Sequence, residues 1–135
     1  MPDVALKDLT GKTVRIAEYQ GKVVLLDFWA TYCDACHKAI PKFQKMSEAD
    51  AAKGLEVLGI SIDTDARNVP DYVKESGMKY RVLLDPGLDL ARACGVRGLP
   101  ATFLAGRDGK IRRQWVGYTD ATFSEIESEV RAALQ

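Results

Sequence analysis

The sequence predicts a single α/β domain, a mixed β-sheet with helices on both faces. Three observations predict it. Apolar runs of strand length recur at Val23–Trp29, Leu55–Ile62, Arg81–Leu84 and Ala101–Leu104. Stretches with helical spacing separate them, and the chain closes with a hairpin and a last helix. Helical crossovers between the first strands require parallel, right-handed connections there. With 135 residues, 47% of them hydrophobic, one domain over residues 1–135 with a core of ordinary size is expected.

The elements follow in order. Val4-Ala5-Leu6 and Val14-Arg15-Ile16 flank a turn at Asp8 to Lys12, which predicts a small N-terminal β-hairpin. Val23 to Trp29 is a buried strand whose one charged member is Asp27. From about Asp34 to Ala52, residues Cys36, Ala39, Ile40, Phe43 and Met46 share one helical face, while Lys38, Lys42, Lys45 and Glu48 lie elsewhere. Pro41 sits inside this helix and lacks a backbone donor, so a kink is expected there. Lys53-Gly54 ends it, and Leu55 to Ile62 forms the second strand. Asn68-Val69-Pro70 starts a second helix, proline being tolerated in a first turn, and Gly77 stops it. Arg81 to Leu84 is a third strand, halted by Asp85-Pro86-Gly87; Leu88 to Cys94 is helical up to Gly95. Ala101 to Leu104 turns through Arg107-Asp108-Gly109-Lys110 into an antiparallel Ile111 to Val116. Phe123, Ile126, Val130 and Ala133/Leu134 stripe the final helix.

Composition narrows the function. Nineteen basic and nineteen acidic residues cancel, so no field draws the chain to nucleic acid or an acidic membrane. No apolar run approaches the roughly 18–20 residues of a membrane span. No apolar leader precedes Val4-Ala5-Leu6, which fits either a cytoplasmic protein or one whose leader has been removed. Three cysteines are too few and too oddly spaced for a disulfide framework. Two close together and one apart suggest an active pair plus Cys94, which is expected to be a small buried apolar residue.

The pair is Cys33 and Cys36, separated by Asp34-Ala35 where a buried strand meets a helix. A thiolate, not a thiol, attacks a disulfide. Unpaired N–H groups and the positive end of the dipole at a helix N-terminus stabilise the thiolate, and Cys33 is placed for that. Cys36 lies one turn in, on the buried side, within reach but less exposed. Cys33 is the candidate nucleophile and Cys36 the resolver. Cys36 must lose its proton, and Asp27, flanked by apolar residues, would be the base if burial raises its pKa. The alternative is an aspartate at a strand end facing water.

These residues resemble the thioredoxin superfamily, in particular the TlpA/ResA-like thiol–disulfide oxidoreductases. Phe28-Trp29-Ala30-Thr31-Tyr32-Cys33 with Cys36, Pro41, and Gly98-Leu99-Pro100-Ala101-Thr102-Phe103 carry the resemblance, which covers nearly the whole chain. It implies a thioredoxin fold with the hairpin as an N-terminal extension, and a reductase of protein disulfides. It also implies a cis Pro100 beside Cys33, a substrate strand docked on Leu99, and Trp29 beside the pair with Tyr32, the two presenting an exposed edge to the partner. A trans loop proline is the other reading of Pro100. No cofactor beyond the Cys33–Cys36 disulfide is implied. The expected partners are a protein disulfide and an upstream thiol donor, the expected state is a monomer, and cytochrome c maturation in the cell envelope is a common setting for the family. Several positions depart from the pattern. Asp34 adds negative charge beside Cys33, which should oppose its thiolate and favour a more reducing couple. Tyr32 stands where tryptophan is commoner. Asp27 matches thioredoxin's own buried aspartate, but the lysine that accompanies it there aligns with Gly59. Asp63 or Asp65 could share the proton role.

Other chemistries compete. Cys33-Asp34-Ala35-Cys36-His37 is also the string for c-type haem attachment, with His37 as axial ligand, although a long strand feeding the motif argues against it. Two cysteines and one histidine fall short of a structural zinc site. A peroxidase reading fails on spacing, because Thr31 lies two residues before Cys33 rather than three. A non-catalytic binding domain of the same fold remains open.

Overall fold

The computed structural model describes all 135 residues. Seven strands, β1 (Ala5–Asp8), β2 (Thr13–Arg15), β3 (Val23–Trp29), β4 (Leu55–Ser61), β5 (Arg81–Leu84), β6 (Ala101–Ala105) and β7 (Ile111–Val116), form one sheet in the order β2-β1-β5-β4-β3-β6-β7. Four helices accompany them: α1 (Asp34–Asp50), α2 (Val69–Ser76), α3 (Asp89–Cys94) and α4 (Asp120–Leu134). Strands β3, β4 and β5 pair in parallel. Pairing of β1 with both β2 and β5, and of β6 with both β3 and β7, is antiparallel. The N-terminal hairpin therefore does more than extend the fold: β1 continues the central sheet beyond β5.

Strand β3 lies in the sheet interior, and all seven of its residues are buried. Its side chains alternate between two cores. Val23, Leu25 and Trp29 join the cluster formed with Cys36, Ala39, Ile40, Phe43 and Met46 of α1, Val69 of α2 and Phe123, Ile126 and Val130 of α4. Val24, Leu26 and Phe28 join the opposite cluster with Ile16 and with Leu90 and Ala91 of α3. By the same alternation, Asp27 points to the face that α1 covers. The crossovers β3-α1-β4 and β4-α2-β5 step in one direction along the sheet, so a common hand puts α1 and α2 on one face.

Local signals end the elements where the composition placed them. Pro41 lies inside α1. Beyond α1 the chain makes a short 3-10 turn and reaches Gly54 at φ 102°, a left-handed conformation that side chains disfavour. Thr119 caps α4 by accepting the Thr122 N–H at 3.0 Å. One cap was not foreseen. Asp85, only 1% exposed, accepts N–H donors from Asp89 at 2.8 Å and Ala91 at 2.9 Å, so the turn after β5 also anchors α3. Asp85→Ala leaves both N–H groups without that acceptor and should lower the unfolding free energy by about 2 kcal/mol in urea denaturation. Asp85→Asn, which keeps one acceptor, should lose less; equal midpoints for alanine variant and native protein would show that α3 stands without the cap.

Candidate active site

Strand β3 delivers the chain to Ala30-Thr31-Tyr32, and α1 begins directly after Cys33. The connecting turn is fixed from both ends. Cys33 N–H donates to the Ala30 carbonyl at 3.1 Å. Asp63, just past β4 and 6% exposed, accepts the Thr31 N–H at 3.1 Å, the Thr31 hydroxyl at 2.6 Å and the Ser61 hydroxyl at 2.7 Å. Sequence reasoning offered Asp63 as a helper in proton transfer; the structure commits its carboxylate to holding the turn. Asp65 is spent on Arg67, which it binds through the guanidinium and backbone at the surface.

Cys33 is the N-cap of α1, and its sulfur accepts the Cys36 N–H at 3.2 Å. Cys33 is half-buried and Cys36 is 1% exposed. The two are joined as a disulfide, with Cα atoms 5.3 Å apart. A partner can therefore reach the first sulfur and not the second.

Asp27 belongs to the same buried face as Cys36. It is 1% exposed, its Oδ1 has no hydrogen-bond partner, and burial pushes its carboxyl well above the ordinary carboxylate range. In register it lies beside Gly59 of β4 and Thr102 of β6. The solvent-facing alternative for Asp27 is thereby removed.

The Leu99–Pro100 peptide is cis. The Pro100 ring is buried, and its carbonyl accepts the Gly117 N–H at 2.8 Å. Leu99 is half-buried and packs against both cores, while its own backbone N–H and C=O bond to no other backbone group. Tyr32 is 72% exposed and Val116, next to the Pro100 loop, is 64% exposed.

Two expectations need correction. Trp29 does not present an exposed edge: it is 1% exposed, because the Tyr72 ring of α2 stacks over it at 5.3 Å and 23°. Tyr72 in turn meets exposed His37, whose Nδ1 lies 3.0 Å from the tyrosine hydroxyl. Nothing in the local pattern around Tyr72 signalled this, since it depends on how α2 packs against the end of β3. Cys94 is only half-buried, at the end of α3, and free; burial still raises its thiol to about 11, so little thiolate forms at neutral pH. No group of three or more histidine, cysteine or acidic residues is arranged to hold a metal ion, and no helix is long and apolar enough to cross a membrane.

Comparison with known proteins agrees with this geometry. The AhpC/TSA family model matches residues 1–114. The chain is 33% identical over 130 residues to the thiol-disulfide oxidoreductase ResA of Bacillus thuringiensis (strain Al Hakam), covering 96% of this chain and 74% of that one. Among solved structures, a thiol:disulfide interchange protein described as DsbE from Chlorobium tepidum superposes with TM-score 0.95 at 34% identity, over 99% of this chain and 94% of that one. A protein described as a thioredoxin from Neisseria meningitidis superposes with TM-score 0.86 at 34% identity, over 98% and 87% of the two chains. With a matching family model over most of its length, relatives of this identity and a Cys33–Cys36 disulfide at the head of α1, the chain belongs to the AhpC/TSA family and is a ResA-like thiol–disulfide oxidoreductase of thioredoxin fold.

Proposed function

We propose that this oxidoreductase works as a reductase of protein disulfides, with Cys33 as nucleophile, Cys36 as resolver and Asp27 as proton acceptor. The observation that carries the reading is the unequal access of the two sulfurs: one caps the helix at the surface, the other is buried behind it. In the dithiol form, the Cys33 thiolate attacks a partner disulfide. A mixed disulfide forms and the partner's other sulfur leaves as a thiolate that takes up a proton. Cys36 passes its proton to Asp27 and attacks the Cys33 sulfur. The Cys33–Cys36 disulfide forms, and the partner leaves as a dithiol. The partner gains two electrons and two protons, and a thiol donor upstream must return the pair to the dithiol.

The docking surface is proposed to run along Leu99 and Pro100, flanked by Tyr32. Support comes from the unpaired backbone groups of Leu99, which can pair with an extended substrate segment as a short added strand, from the exposed Val116 beside Gly98, and from the exposure of Tyr32, the residue before Cys33. Trp29 contributes from below, as the packed floor of the site rather than as a surface in contact with the partner. The 135 residues are read as one domain acting as a monomer. Electrons pass through the cysteines without a further cofactor. On the family resemblance, cytochrome c maturation is the proposed setting.

Cys36→Ser should accumulate a mixed disulfide between Cys33 and a disulfide-bearing substrate protein, visible as a covalent adduct by mass; Cys33→Ser should form none. An adduct through Cys36 in the second variant would reverse the roles. Asp27→Asn should slow the resolving step by about tenfold or more near neutral pH while sparing the first attack, read by stopped-flow decay of the mixed disulfide. The same substitution should stabilise the fold. Asp27 titrates above its ordinary value of 3.8 in the native state, so the unfolded chain releases its proton first and stability falls as pH rises from that value through the native pKa. The gain from Asp27→Asn in urea denaturation should thus be largest above the native pKa and shrink toward acid; a gain independent of pH would mean that burial does not raise the carboxyl as described.

A further inference from the structure

A groove opens beside the cis proline. Cys94 and Val96, Ala101 and Phe103 of β6, and Val116 of β7 line it. Ala101 and Phe103 belong to the core that α3 covers, so the groove lies on the face of the sheet opposite α1. Its apolar wall is continuous with the proposed docking edge. Val116 pairs with Ala101, the residue after Pro100. A Cβ on Gly98 would lie 3.2 Å from Val116 Cγ1, so the groove meets the Leu99 segment at Gly98. A chain laid along Leu99 has this groove at one end.

Arg97 also lines the groove, and it is exposed. No acidic side chain lines it, so Arg97 sets its sign. Every other arginine except Arg92 is paired with a carboxylate or donates to a backbone carbonyl, whereas Arg97 does neither. Arg92, on α3, does not line the groove. On the other side of the docking edge, Asp34 is exposed beside Cys33 and is in no ion pair. Two free charges of opposite sign therefore flank that edge, one at the nucleophile and one in the groove.

We propose that the groove takes the part of the substrate chain that flanks its reacting cysteine, and that Arg97 selects substrates with an acidic side chain there, a few residues from the disulfide. The proposal rests on the docking edge described above and names the class of protein disulfide that the edge favours. A guanidinium presents a planar fork of donors that matches a carboxylate. Its apolar surroundings reduce the competition from water. Asp34 disfavours an acid placed directly at the substrate cysteine, while an acid further along meets Arg97 instead. Contacts of this kind steer encounter and fix the orientation of the docked chain more than they add affinity. Cys94 adds apolar surface without charge, because burial raises its thiol to about 11.

The test is the second-order rate at which the dithiol protein reduces three synthetic peptides. Each holds one cysteine in a mixed disulfide with a small thiol. They differ only in carrying glutamate, glutamine or lysine three residues to either side of that cysteine. Rates are compared as ratios within each protein variant, which cancels any change common to all peptides. The native protein should reduce the glutamate peptide about fivefold faster than the lysine peptide at low salt, and the ratio should shrink as salt screens it. Arg97→Glu should reverse the order, and Arg97→Lys should retain it. If Arg97→Glu keeps the native order, the groove does not read charge and the proposal is wrong. If sedimentation shows a dimer at the assay concentration that Arg97→Glu dissociates, the groove belongs to a second copy of the chain and the proposal is equally overturned. If the native protein reduces none of the three peptides, the reductase reading itself falls and takes this proposal with it.

Discussion

A sulfur atom takes the place of a capping oxygen at the start of α1. Helix N-termini present backbone N–H groups with no acceptor inside the helix, and short oxygen-bearing side chains usually supply one. Here Cys33 Sγ accepts the Cys36 N–H. The same donors and the aligned peptide dipoles favour negative charge on that sulfur once the disulfide opens. Everything else in the site serves this contact. Strand β3, sealed on both faces, ends at a fixed place; Asp63 pins Thr31; and the turn between them sets Cys33 at the first residue before the helix.

The second sulfur is governed by burial instead. Cys36 faces the core with Trp29, Phe43 and Met46, where a thiolate is costly. Asp27 shares that face, and its own charge is just as costly there. In the resolving step proposed above, a proton passed from Cys36 to Asp27 moves one negative charge from the carboxylate to the sulfur, so the burial cost falls on both sides of the transfer. Asp34 adds a further bias. It lies in the first turn of α1 beside Cys33, and its negative charge offsets the pull of the helix dipole on a thiolate at Cys33.

Much of this was legible before any coordinates. The apolar run of β3, the cysteine spacing, the face of α1 and the strand, helix, hairpin order all follow from periodicity, and each of them stands in the fold. The burial of Asp27 was legible for the same reason, since its neighbours on both sides are apolar. What escaped was set by contacts between distant segments. Trp29 reads as a site-wall aromatic, but whether it meets water depends on Tyr72 reaching over it from α2. Asp63 reads as a spare acid, and only the return of β4 beside β3 shows that it grips Thr31. Asp85 reads as a turn residue, yet it also caps α3. Cys94 reads as core because alanine and leucine precede it, but it is the last residue of a six-residue helix, just before the Gly95 cap, and is half uncovered.

The central claim is that this pair gives electrons to protein disulfides. Equilibrating it with known ratios of thiol and disulfide gives its reduction potential. The charge of Asp34 beside Cys33 and the burial of Cys36 both destabilise thiolate, so the couple should lie near that of thioredoxin, about −270 mV. A potential near that of a strong oxidant, about −120 mV, would contradict the account.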